Sequence, residues 1–107
     1  MGFKIKQNDT SPIIQATLKD ANSAAVDLTG ASVRFHMIKY RGTSTKVAAA
    51  AAIVDDDAGT VKYVWQSGDT DTVGSFKAEF QVTFSDGTVE TFPNTDYIQI
   101  DVIDDIA

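Results

Sequence analysis

The chain has 107 residues, the size of one compact domain, and 43% of them are apolar, enough for a core without staples. Nine lysines and arginines against fifteen aspartates and glutamates leave a formal net charge of −6, so phosphate backbones and anionic lipid are repelled, and the cations are too thinly spread to form a local basic patch. The absence of cysteine excludes a disulfide framework, a thiol nucleophile and a thiolate metal site, while leaving the redox compartment open.

The N-terminal run Met1-Gly2-Phe3-Lys4-Ile5-Lys6-Gln7 carries charge and no apolar stretch of signal-peptide length, and no later segment is long and apolar enough to span a membrane. A soluble, unprocessed chain without a membrane partner is expected. A short strand is predicted over residues 3–5. Ile14, Ala16 and Leu18 then alternate with Gln15, Thr17 and Lys19 up to the turn-forming run Asp20-Ala21-Asn22-Ser23. After Thr29-Gly30, Val33, Phe35 and Met37 alternate with Arg34, His36 and Ile38.

Val47-Ala48-Ala49-Ala50-Ala51-Ala52-Ile53-Val54 is the ambiguous segment, because alanine favours helix and its flanks favour strand. A helix this short is marginal without packing, so a strand within residues 46–54 is expected. Asp55-Asp56-Asp57-Ala58-Gly59 breaks the pattern, and Val61, Tyr63 and Trp65 then alternate with Lys62, Val64 and Gln66. The clearest strand covers residues 76–85, where five apolar residues occupy one parity and five polar residues the other. It enters Asp86-Gly87, read as a two-residue type I′ turn that pairs Ser85 with Thr88 and Phe84 with Val89. Ile98, Ile100 and Val102 alternate in the last strand.

Seven to eight strands at this spacing predict an all-β fold, an immunoglobulin-like antiparallel β-sandwich occupying residues 1–107 as a single domain. Trp65, Tyr63, Phe35, Phe76, Phe80 and Phe84 are the expected core aromatics and phenylalanines.

Catalytic chemistry finds little to work with. His36 is the only histidine and reads as an exposed strand residue, without the adjacent orienting group that general-base work requires. Asp69-Thr70-Asp71-Thr72-Val73-Gly74 resembles the opening of a calcium loop. An EF-hand starting at Asp69, however, needs ligands where Val73 and Phe80 stand, and one starting at Asp55 puts Gly59 and Gln66 there. Such acidic breaks read instead as turns whose carboxylates bond the local backbone. The glycines are isolated turn residues and form no phosphate-binding loop. No catalytic residue, metal or cofactor is expected.

At Val26-Asp27-Leu28-Thr29-Gly30-Ala31-Ser32-Val33-Arg34-Phe35 the chain resembles the N-terminal immunoglobulin-like domain of tailed-phage baseplate upper proteins, a family that also includes small stand-alone phage and prophage proteins. Val61-Lys62-Tyr63-Val64-Trp65 followed by Gly68-Asp69-Thr70-Asp71 is similar to its later strands, as are Gly74-Ser75-Phe76-Lys77-Ala78-Glu79-Phe80 and Asp86-Gly87 leading to Thr91-Phe92-Pro93. The likeness spans residues 6–102; each motif is turn-and-strand grammar, but their order and spacing together are unusual. It implies a non-enzymatic virion structural protein of the tail or baseplate, assembled in the host cytoplasm. Other virion structural proteins are its implied partners, self-association into a homo-oligomer is a further mode, and nucleic acid is not a partner. Longer members continue into coiled-coil and receptor-binding-protein-docking regions, so a chain ending at Ala107 is expected to act as a small connector or accessory. The alternative is a carbohydrate- or cell-surface-binding module; a small hydrolase is disfavoured by the single histidine and the lack of a nucleophile motif.

The expected binding surface is a protein interface on the outward face of the strand that holds Val33, Phe35 and Met37. Ile38 and Tyr40 stand there where strict patterning would place polar residues, with Arg34 at the rim. Val64, outward in the strand of Tyr63 and Trp65, is assigned to the same interface.

Overall fold

The structure is a computed structural model and describes residues 2–20, 22–42, 44–93 and 97–104, so Ala21 of the first turn run lies outside it. Among the described residues eight strands run in chain order as β1 Gly2–Lys6, β2 Ile14–Thr17, β3 Ser32–Lys39, β4 Thr45–Asp55, β5 Thr60–Tyr63, β6 Gly74–Thr83, β7 Val89–Phe92 and β8 Ile98–Ile103. They hydrogen-bond in the order β1-β8-β6-β3-β4-β5-β2. One edge of β6 is divided between two partners, residues 74–78 pairing β8 and residues 80–83 pairing β7. Long strand β4 follows β3 with residues 45–51 and then β5 with residues 52–55, carrying the chain from a larger sheet into a smaller one. The result is an all-β, sandwich-type architecture.

The expectation of purely antiparallel pairing holds for every strand pair but one: β1 pairs β8 in parallel, Gly2 against Gln99 and Lys6 against Ile103. A parallel pair needs a long connection, and strands at opposite ends of the sequence have nearly the whole chain to supply it.

Alternation sets the core. Val33, Phe35 and Met37 are buried on β3, Phe76, Ala78, Phe80 and Val82 on β6, and Ile98, Ile100 and Val102 on β8, while Val61, Tyr63 and Trp65 face them from the smaller sheet. The sheets meet through rings: Phe35 stacks on Tyr63 at 4.6 Å and 11°, and Trp65 stands edge-on to Phe35 and Tyr63 at 5.7 and 5.5 Å. Each such contact adds about 0.5–1.5 kcal/mol beyond its buried area. The alanine segment is the strand β4 because of this cluster. Its inward Ala49 lies in register beside Phe35, and pairing of residues 45–51 with β3 and of 52–55 with β5 overrides helical propensity. Phe84 is only partly buried, packing at the edge of the core.

Polar groups at the core boundary find partners. The Trp65 Nε1–H donates to the Pro12 carbonyl at 3.1 Å, and the buried Thr70 hydroxyl donates to the Asp9 carbonyl at 2.7 Å. Among the described residues no buried side-chain nitrogen or oxygen lacks a hydrogen bond.

The hairpin after β6 corrects the expected turn. Thr83 pairs Val89 and Phe80 pairs Phe92, one residue away from the predicted register, and the loop has three residues, 85–87. The Gly87 N–H donates to the Phe84 carbonyl at 2.9 Å, and Gly87 has φ +89° while Asp86 is not in the positive-φ region that a type I′ turn demands. A one-residue slip exchanges the faces of a strand. Here it buries Phe92 opposite Phe80 and turns Val89 out to 56% exposure. The larger apolar side chain decides, because it removes more area from water.

Candidate protein-binding face

β3 lies inside the larger sheet, flanked by β6 and β4, so its outward side chains stand within a sheet face and not at its rim. Arg34 is exposed there, His36 and Ile38 are half-buried, and Tyr40, just beyond the strand end, is 41% exposed. The Tyr40 N–H donates to the Ser75 carbonyl at 2.9 Å, continuing the β3 to β6 ladder by one step and holding the ring on this face. Antiparallel register places Glu79 beside His36 and Lys77 beside Ile38.

The Lys77 ammonium sits 5.8 Å from the Tyr40 ring centre and 5.6 Å from that of Tyr97. The two rings meet edge-on at 6.0 Å and 63°. Cation–π contacts of this exposure are worth about 0.5–1 kcal/mol each, enough to prefer one arrangement of an otherwise mobile lysine. His36, Ile38, Lys77, Ala78, Glu79 and Tyr97 line a depression of about 230 Å³ in this face. On the other flank of β3, Ala50 beside Arg34 and Ala48 beside His36 are exposed and small, so the sheet there is flat.

Three of the four interface residues named from the sequence, Arg34, Ile38 and Tyr40, therefore share one face. Val64 does not join them. It follows β5 in the smaller sheet, 45% exposed, with its neighbours Tyr63 and Trp65 turned inward toward Phe35. Its outward direction is thus away from the β3 face. Lys77, Glu79 and Tyr97 were not among the sequence candidates. The parity of β6 marks Lys77 and Glu79 as outward, but only the β3 to β6 register puts them beside Ile38 and His36, and Tyr97 reaches the face from the residue before β8.

The acidic breaks behave as turn caps. Asp20 accepts the Asn22 and Ala24 N–H groups, and Asp55 accepts those of Asp57 and Ala58. Asp27 and Asp86 each accept the hydroxyl and N–H of a threonine two residues on, Thr29 and Thr88. Those bonds hold the Asp27 and Asp86 carboxyls below the ordinary carboxylate range. Asp71 is held low by hydrogen bonds from the Lys46 ammonium and the Thr72 hydroxyl. Asp69, the first residue of the calcium-like run, accepts the Tyr63 hydroxyl and the Gln66 N–H. Burial, then Asp69, push the Tyr63 phenol well above its usual value. Among the described residues no three His, Asp or Glu side chains gather as a metal-ligand set.

The fold and this face define a small all-β domain whose most differentiated surface is an aromatic and cationic corner on one sheet. Residues 2–99 match the family model of the BppU N-terminal domain, the N-terminal domain of the baseplate upper protein, and the chain belongs to that family. It is accordingly a phage baseplate-related structural domain. No curated protein matches the chain.

Proposed function

We propose that this chain is a non-enzymatic virion component that acts as a single domain and a connector or accessory of the tail or baseplate, docking onto other virion structural proteins through the outward face of β3. The observation that carries this reading is the cluster of Ile38, Tyr40, Lys77 and Tyr97 on a sheet face where the other outward positions of β3, β6 and the β3-paired part of β4 are charged, polar or alanine. Tyrosine and a cation beside an apolar depression are the anchors that protein interfaces favour. Family membership supplies the setting.

The test is I38S/Y40S in the full chain. Ile38 and Tyr40 are only partly buried and outside the core cluster, so the double variant is expected to fold and melt close to the wild type. Its incorporation into assembled particles, read by immunoblot of purified virions, is expected to be lost. Normal incorporation places the interface elsewhere; unfolding assigns both side chains to the core.

A further inference from the structure

Charge is segregated along this molecule. An 11-residue strand such as β4 spans about 33 Å at the usual rise, which only the longest of the 45 × 25 × 22 Å extents accommodates, so the strands run along that axis. The connections 18–31, 55–59 and 84–88 all lie at the end where β3 begins. They carry Asp20, Asp27, Asp55, Asp56, Asp57 and Asp86 against the single cation Lys19, a net of −5 out of the chain's −6. The other eight cations and nine acids nearly balance. The Asp56 and Asp57 carboxylates accept no hydrogen bond among the described residues, and Val54 beside them is 50% exposed.

At the opposite end of β3 stands the Tyr40 corner. Lys39 and Arg41, the chain neighbours of Tyr40, are exposed and have no acidic partner among the described residues, and Lys77 lies over the ring. Two acids share this part of the face, Glu79 one step further down β6 and Asp101, in register opposite Ser75 and accepting its hydroxyl at 2.9 Å, so the three cations outnumber them by one. Each end thus presents an exposed apolar side chain rimmed by charge, and the charges are opposite.

We propose that the chain self-associates, the Tyr40 corner of one copy receiving the acidic end of another around Val54, Asp56 and Asp57. This rests on the reading of the β3 face as a docking face and names a second copy as one occupant. A corner meeting a tip is a heterologous contact, in which different patches of two identical chains meet. The 25 × 22 Å cross-section bounds the end surface at about 550 Å² per partner, below the roughly 800 Å² of a standard interface. The association is therefore weak, dependent on concentration and screened by salt.

Sedimentation velocity on the full chain tests this. The wild type is expected to sediment faster with rising concentration at low salt and as a monomer at high salt. R41E/K77E and D56K/D57K are each expected to remain monomeric alone, while their equimolar mixture associates, because each then meets its opposite charge. Far-UV circular dichroism is read on both; should either reversal unfold, R41Q or D57N takes its place, with weakened association expected. A monomeric wild type at low salt, association indifferent to salt, D56K/D57K or D57N associating as the wild type does, or a monomeric mixture of folded reversals overturns the proposal. A monomeric wild type together with loss of I38S/Y40S from particles overturns self-association alone. Self-association with normal I38S/Y40S incorporation removes the virion-docking reading instead.

Discussion

Gly59 and Gly87 both sit at positive φ, +71° and +89°, but they differ in what surrounds them. A Cβ on Gly59 comes within 2.8 Å of the Leu18 and Val26 carbonyl oxygens, whereas one on Gly87 meets nothing within 4 Å. Gly59 also accepts the Leu18 N–H through its carbonyl at 2.8 Å, where the 18–26 connection folds over it. Gly87→Ala is therefore expected to cost about 1 kcal/mol of backbone strain, and Gly59→Ala, which adds a backbone clash, more than about 2 kcal/mol. Urea melts that give equal losses contradict this ranking. A second residue-scale expectation concerns pH. Asp27, Asp71 and Asp86 are held below their ordinary value of 3.8, so the stability they contribute is present above that value and is lost as pH falls through their lowered range. Tyr63 is raised above 10.0, so its contribution is present below pH 10 and declines as pH rises further. Thermal melts are thus expected to be flat from these groups between about pH 5 and 9, with a fall on either side.

At the scale of the element, β4 shows how one residue type serves two surfaces. Ala49 and Ala51 face inward against the core, while Ala48 and Ala50 are exposed beside His36 and Arg34. Ala49→Leu pushes methyl groups toward Phe35 and is expected to cost about 1–3 kcal/mol, while Ala50→Leu on the outward face is expected to stay within about 0.5 kcal/mol. Denaturant midpoints of the two variants separate the faces directly, and similar losses at both sites would mean that the strand is buried on both sides. The hairpin of β6 and β7 teaches a related point. Asp86-Gly87 signals a turn correctly, yet the same dipeptide fits a two-residue or a three-residue loop, and the choice fell to Phe92 against Val89.

Over the whole molecule, the crowding of Asp55, Asp56 and Asp57 with Asp20, Asp27 and Asp86 at one end repels itself in the monomer. D56N/D57N is expected to melt higher than the wild type at low salt, with the difference vanishing as the Debye length falls to about 3 Å near 1 M salt. A lower melting temperature at low salt would show that these two carboxylates stabilise the turn. The same separation of charge means that the β3 face is not repelled by acidic partners as the chain average suggests. At the Tyr40 corner Lys39, Arg41 and Lys77 outnumber Glu79 and Asp101, so the local balance is cationic by one charge.

Strand positions, the inward parity of β2, β3, β5, β6 and β8, the Asp-capped turns and the outward placement of Arg34, Ile38 and Tyr40 were legible in the residues alone, because alternation and turn chemistry act over a few neighbours, whereas the parity of β7 was not. The family resemblance was legible for the same reason, since it rests on local motifs in order. Pairing partners were not. The parallel β1 to β8 contact, the division of β6 between β7 and β8, and the meeting of Lys77 and Tyr97 with Tyr40 join residues far apart in sequence, and no local signal encodes them. Val64 has the outward parity the sequence assigned, but parity describes a strand and not the sheet to which that strand belongs. The crossing of β4 between sheets put Val64 on the side away from Tyr40, a choice made by the packing of Phe35 on Tyr63 across the core.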